Sequence, residues 1–363
     1  MTATNELPLK AGERLILPTD PMIQYMGRID DEDPKHPVFH YVCSSIHLRV
    51  TGGVLRMFLT NLHNCWENRL GVIVNGVQQA VLLQEQGDSV VDLSGMLGDE
   101  ENDVLIFKRQ DSCHAFVLHG FAVAEGAVLL PLPPVPERRM EVYGDSVSAG
   151  EVSEALDYAG KVDPPHNGQY SNGWWSYAWQ TARMLNAQLH DIAQGGISLQ
   201  DGCGYFNAPD YLGMLSCWDK VHYNPFLGPV KGWDFRRYQP HVVVVAIGQN
   251  DAHPDNYMER DPEGEKAAKW RSDYRALIEK LRGVYPKAEI ILSTTILGHA
   301  KEWDEAIDRV CRDMSQTDRH IHHFLYEKNG CGTPGHIRAN EAEGMARELS
   351  AFIEGLGEEI WKR

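Results

Sequence analysis

The chain has 363 residues, 43% hydrophobic and 23% charged, with a formal net charge of −17. That length favours two domains with a substantial core. An acidic surface excludes nucleic acid and anionic membranes as partners and favours neutral or cationic small substrates. No run approaches the about 18 uninterrupted apolar residues of a membrane span.

The N-terminal stretch MTATNELPLKAGERLILPTD has no basic start, apolar stretch and small-residue cleavage site in succession, so a cytoplasmic location is expected. The seven cysteines, at 43, 65, 113, 203, 217, 311 and 331, never form a C-x-x-C pair. They read as reduced, mostly buried thiols, and no metal site is expected from them.

Short β-like runs fill residues 1–130: IHLRVTG, LRMFLTNL, RLGVIVNGV, SVVDLSG, DVLIFKR, HAFVLHGFAV and AVLLPL. With Asn75-Gly76 marking a tight hairpin, they predict an antiparallel β-sandwich. A linker follows at 131–139, PLPPVPERR, with four prolines in its first six residues; such a segment is extended and stiff.

From 140 to 363 the pattern changes. Strand-like MEVYG, QLHDI, HVVVVAIG, AEIILSTTI and IHHFLYE alternate with helix-like segments around WWSYAWQTARMLNA, AAKWRSDYRALIEKLRGVY and the C-terminal ANEAEGMARELSAFIEGLGEEIWKR. Val242–Val245 is too uniformly β-branched to have a wet face, which marks a central parallel strand. The alternation predicts a doubly wound α/β domain.

Ligands of such sheets bind outside the carboxyl ends of the strands. Polar clusters fall at those places: Gly144-Asp145-Ser146, Gln194-Gly195-Gly196, Gly248-Gln249-Asn250-Asp251 and Pro334-Gly335-His336. Alone, each is a turn or a helix cap. Together they supply an acyl-transfer site. Ser146 is the candidate nucleophile and His336 its base. The Ser146 N–H, the Gly196 N–H (Gly195 as the alternate) and the Asn250 amide are candidate oxyanion donors. Asp145 and Asp251 are expected to brace loops.

These four blocks resemble those of the SGNH (GDSL-type) hydrolases. The sandwich, proline linker and α/β order is similar to carbohydrate esterase family 2 over nearly the whole chain. Trp233-Asp234 ahead of Tyr238-Gln239-Pro240 and the HGFAV…GA run add to the likeness. The resemblance implies a jelly-roll-like accessory domain before an SGNH catalytic domain. It implies a metal-independent serine esterase without cofactor that removes O-acetyl groups from xylan-type saccharides. Alternatives are a broader GDSL-type lipase, arylesterase or thioesterase, and a non-catalytic carbohydrate-binding protein.

One departure stands out. Superfamily members carry an Asp two or three residues before the His, where this chain has Thr333 and Pro334. A backbone carbonyl near those residues is therefore expected to orient His336, with an acid from a distant loop as the alternative. Trp303, placed in a loop at a strand end, and Trp233 are expected to contact substrate. His320 and His322 read as strand residues rather than metal ligands. The acidic, Pro/Gly-punctuated segment 151–173 reads as a lid or as a contact to a second subunit in a homo-oligomer.

Overall fold

The computed structural model describes residues 7–362. Its N-terminal part is a sandwich of two antiparallel sheets. One sheet orders Ile29–Asp30, Val38–Phe39, His114–Ala124, Leu55–His63 and Gly87–Asp92, with Glu13–Ile16 also paired to His114–Ala124. The other orders Leu129–Leu130, Ser45–Thr51, Glu101–Lys108, Arg69–Val74 and Val77–Leu82, with Gln24–Met26 paired to Ser45–Thr51. Alternation explains which faces meet. Ile46, Leu48 and Val50 point into a core shared with Met57, Leu59, Val104 and Ile106. The Asn75-Gly76 hairpin has positive φ at both residues (51° and 82°), as a two-residue loop between twisted strands requires.

The second part holds a five-stranded parallel sheet: β1 (Arg138–Gly144), β2 (Ala187–Ala193), β3 (Val242–Ala246), β4 (Glu289–Ser293) and β5 (Ile321–His323). The spatial order is β2-β1-β3-β4-β5. β1 begins at Arg138, two residues inside the stretch expected as linker.

Helices α1 (Ser146–Ala149), α2 (Tyr177–Met184), α3 (Glu265–Val284), α4 (Lys301–Ser315) and α5 (Ala339–Gly355) complete the doubly wound domain. β3 shows why both faces must be covered. Val243 and Val245 pack with Trp270, Leu277 and Ile307 from α3 and α4. Val242 and Val244 pack with Ala182, Met345 and Leu349 from α2 and α5.

The sequence reading missed α4 and placed Trp303 in a loop. The apolar positions Trp303, Ala306, Ile307, Val310, Cys311 and Met314 form the buried stripe of that helix. The sandwich also contributes to the α/β cores: Tyr41, Val42, Cys43 and Phe107 pack into those clusters. His320 Nδ1 and His322 Nε2 lie 2.9 and 2.7 Å from the Glu289 carboxylate, as strand-edge partners. Among the described residues no helix is long and apolar enough to cross a membrane.

Candidate active site

In a 2-1-3-4-5 sheet, neighbouring connections leave in opposite directions between β1 and β3, opening a crevice at their carboxyl ends. The turn after β1 holds Ser146, that after β2 holds Gly195 and Gly196, and that after β3 holds Asn250. His336 arrives on the segment leading into α5. Ser146, Gly195, Gly196, Asn250 and His336 all line one cavity of about 720 Å³.

Asp145 precedes Ser146 as the N-cap of α1, its carboxylate accepting from Val147 N at 3.0 Å. It also accepts from Gln249 Nε2 at 2.7 Å, tying the β1 turn to the β3 turn. Burial pushes its carboxyl up to about 6. Asp251 accepts from Leu199 N at 2.8 Å and from Gln200 N at 3.3 Å, and burial pushes it up to about 7. Both acids brace loops, and neither reaches His336 by a hydrogen bond.

The candidate oxyanion donors differ in what already holds them. Gly195 N–H is taken by Asp111 Oδ2 at 2.5 Å, so the alternate donor is engaged elsewhere. Among the described residues, Ser146 N–H and Gly196 N–H have no acceptor. Gly196 sits at φ 74°, and a Cβ there would lie 2.7 Å from the Tyr205 Cβ. Only glycine offers an N–H in that conformation without strain. Asn250 Nδ2 donates to Ile197 O at 3.0 Å, which fixes the amide plane. Its second hydrogen has only a 3.3 Å contact to Asp145, so a substrate oxygen can claim it.

His336 is not oriented by a backbone carbonyl. Thr333 O accepts from Gly298 N at 2.8 Å, and Asp163 takes the imidazole instead. Asp163 Oδ2 lies 2.6 Å from His336 Nδ1, and its Oδ1 accepts from His336 N at 2.9 Å and from an Arg338 guanidinium N–H at 2.8 Å. Gly335 lets the two segments approach, since a Cβ there would fall 2.5 Å from Lys161 O. Burial alone would raise the Asp163 carboxyl, but His336 and Arg338 hold it well below the usual carboxylate range. Burial would lower the His336 pKa; the charges of Glu151 and Asp163 outweigh it and raise it. Ser146 thus shares one cavity with an imidazole whose Nδ1 lies against a carboxylate, the pairing a nucleophile and base require.

Two expected substrate contacts are displaced. Trp303 is fully buried in α4, where its Nε1 donates to Asn256 Oδ1 at 3.0 Å. It holds a cavity residue but does not face the cavity. Trp233 packs with Val221 and Tyr238 beneath the Arg28 and Arg237 guanidiniums, away from the site. The aromatic rings that line the cavity are Trp66, from the sandwich, and Tyr205 and Phe206. Trp66 is 39% exposed; Tyr205 is 59% exposed and stacks on His253 at 4.1 Å between centroids. Sequence reasoning also missed Asp163, Glu151 and Asp111. Asp163 carries a faint signal: Pro164-Pro165 directly after it stiffens the loop that presents it.

The family model for the carbohydrate esterase 2 N-terminal domain matches residues 25–133. The acetylxylan esterase / glucomannan deacetylase of Cellvibrio japonicus is 26% identical over 355 residues, 95% of this chain and 92% of that protein. The cellulase/esterase CelE of Acetivibrio thermocellus is 30% identical over 274 residues, 75% of this chain but only 31% of that longer protein. The solved family two carbohydrate esterase from Clostridium thermocellum in complex with cellohexaose superposes with a TM-score of 0.76 at 26% identity. That match covers 92% of this chain and 98% of the other. The N-terminal domain thus matches the carbohydrate esterase 2 model, and nearly the whole chain is similar to family two carbohydrate esterases, with a β domain before an SGNH-like α/β domain.

Proposed function

We propose that this protein is a serine esterase that removes O-acetyl groups from saccharides, with xylan- or glucomannan-type oligosaccharides as substrates. Ser146 Oγ attacks the ester carbonyl while His336 Nε2 takes its proton. Ser146 N–H, Gly196 N–H and the Asn250 amide receive the oxyanion. As the C–O bond to the sugar breaks, His336 returns the proton to the departing sugar oxygen, leaving acetyl-Ser146. Water, deprotonated by the same imidazole, then attacks the acetyl carbon. His336 gives the proton back to Ser146 and acetate departs. Asp163 keeps the Nδ1–H in place and stabilises the imidazolium formed in each half.

The observation that carries this reading is the convergence of Ser146, Gly196, Asn250 and His336 on one cavity, with Asp163 on the far nitrogen of His336. The Cellvibrio relative's name supplies the substrate class. The test is hydrolysis of p-nitrophenyl acetate, and acetate release from acetylated xylo- and manno-oligosaccharides, by wild type and Ser146→Ala. Turnover by wild type alone is the expected result. Equal turnover by both would remove Ser146 from the reaction.

A further inference from the structure

The cavity contains a carboxylate that the mechanism above does not use. Glu151 follows Ser146 by one turn of chain, and its N–H donates to Ser146 O at 3.0 Å, so its position is tied to that of the nucleophile. Its side chain is 11% exposed, and its Oε2 lies 3.8 Å from His336 Nε2, the nitrogen that must serve Ser146. Among the described residues no N–H or O–H donates a hydrogen bond to this carboxylate. Neighbouring Asp111 differs: Gly195 N, Gln194 Nε2 and Cys113 N all donate to it. Gly195 makes room for the pair, because a Cβ there would fall 2.7 Å from Glu151 Oε2 and 2.8 Å from Asp111 Oδ2. The residue expected as an alternate oxyanion donor instead clears space for two acids.

We propose that Glu151 is a positioning residue that brackets His336 from the reactive side, favouring the protonated ring and so setting the pH range in which it can act as a base. The inference rests on the esterase reading for its kinetic consequence, although the bracket itself is a property of the two side chains. An opposite charge about 4–6 Å from an imidazole favours the protonated ring by about one pH unit or more. Asp163 faces Nδ1 and Glu151 faces Nε2, so each nitrogen of a protonated ring meets a carboxylate.

The other charged groups near the pair do not cancel this. Asp145 adds negative potential from the nucleophile turn, and Asp111 adds more from the sandwich. Arg338 is spent on Asp163 and on His336 O. His166 lies beyond Asp163, and its own pKa is lowered, chiefly by burial. His299 is held by Leu297 O and Asp304. Burial, reinforced by Asp111, Asp163 and Asp145 against the opposing pull of His336, pushes Glu151 up to about 7, as expected for a carboxylate with one cationic neighbour and no other donor. Glu151 and His336 then titrate as a coupled pair.

The experiment compares wild type, Glu151→Gln and Glu151→Asp in the full chain. It reads the pH profile of kcat/KM on p-nitrophenyl acetate and the His336 ring resonances by NMR titration. In Glu151→Gln the His336 midpoint and the acid limb of kcat/KM both move down by about one pH unit. Well below the wild-type midpoint, this gives roughly a tenfold gain relative to each enzyme's own plateau. Glu151→Asp, which keeps the charge, retains a raised midpoint. An unmoved His336 midpoint in a folded Glu151→Gln protein overturns the proposal. If Ser146→Ala proves as active as wild type, the esterase reading fails, and the His336 titration still decides the bracket by itself.

Discussion

Asp163 Oδ2 meets His336 Nδ1 at 2.6 Å, while Arg338 and the His336 N–H occupy the other Asp163 oxygen. Sharing the carboxylate this way leaves one oxygen for the ring, so Nδ1 carries the hydrogen and Nε2 turns to the cavity. The missing local acid is thus replaced by one 173 residues earlier in the chain. A site that works by this contact should be damaged by neutralising it without deleting it. Asp163→Asn is expected to lower kcat by about 10²- to 10⁴-fold with little change in KM. Because the folded Asp163 carboxyl sits below its unfolded value, its contribution to stability is present above about pH 4 and lost as pH falls further. The wild-type and Asp163→Asn melting curves should therefore converge on acidification, which thermal denaturation across pH measures.

The oxyanion assignment separates two adjacent glycines. Asn250→Ala removes a fixed donor and is expected to cut kcat by about 10²- to 10³-fold, with binding of a small acetyl ester little affected. Gly196→Ala places a methyl against Tyr205 and strains a φ of 74°, so both activity and stability fall. Gly195→Ala leaves its engaged N–H in place but presses on Asp111 and Glu151. Its signature is a changed pH profile rather than a lost donor. Steady-state kinetics of the three variants on one activated ester distinguish these outcomes.

The sequence shows the sheet order's consequence but not the partners that complete it. The β-branched run 242–245 and the polar turns after three strands are local signals, and they put Ser146, Gly196 and Asn250 at one crevice. Asp163 has no such signal, because nothing in the spacing of residues 161 to 336 ties one carboxylate to one imidazole. Gly195 and Gly196 are indistinguishable until Asp111, from the other domain, claims one N–H. The Trp303 error has a different cause. The spacing of apolar residues from 303 to 314 carries the helical period, but a tryptophan just past a strand end also suits a pocket wall. Burial decided between them.

Trp66 gives the sandwich a share of the cavity. It is the sandwich-domain aromatic ring that lines the site, exposed enough for its face to meet a sugar. Losing an aromatic contact of this type costs about 0.5–1.5 kcal/mol, roughly a two- to tenfold effect on affinity. Trp66→Ala should raise KM for acetylated oligosaccharides by that factor while leaving p-nitrophenyl acetate turnover near wild type. An equal effect on both substrates would indicate a disturbed site instead. Parallel kinetics on the two substrates provide the check.

Arg28 joins the domains through a buried ion pair. Its guanidinium, fully buried, donates to Trp218 O at 2.7 Å, Lys220 O at 3.0 Å, Tyr143 Oη at 3.0 Å and Glu141 Oε1 at 3.1 Å. Tyr143 and Tyr285 hydroxyls donate to the same Glu141 oxygen at 2.5 and 2.7 Å. Burial would raise the Glu141 carboxyl, but Arg28 and the surrounding donors bring it down to about 2. Arg28→Ala leaves that carboxylate buried without its cation and empties a large side chain from the domain contact. The expected loss is about 3–5 kcal/mol of unfolding free energy. Adding Glu141→Gln should recover part of it, since the second change removes the stranded charge. Urea unfolding followed by tryptophan fluorescence and by activity should give coincident transitions in wild type, because Tyr41, Val42 and Phe107 of the sandwich are buried in the α/β cores. In Arg28→Ala the sandwich should lose its hold on the α/β domain first, and the two probes should separate.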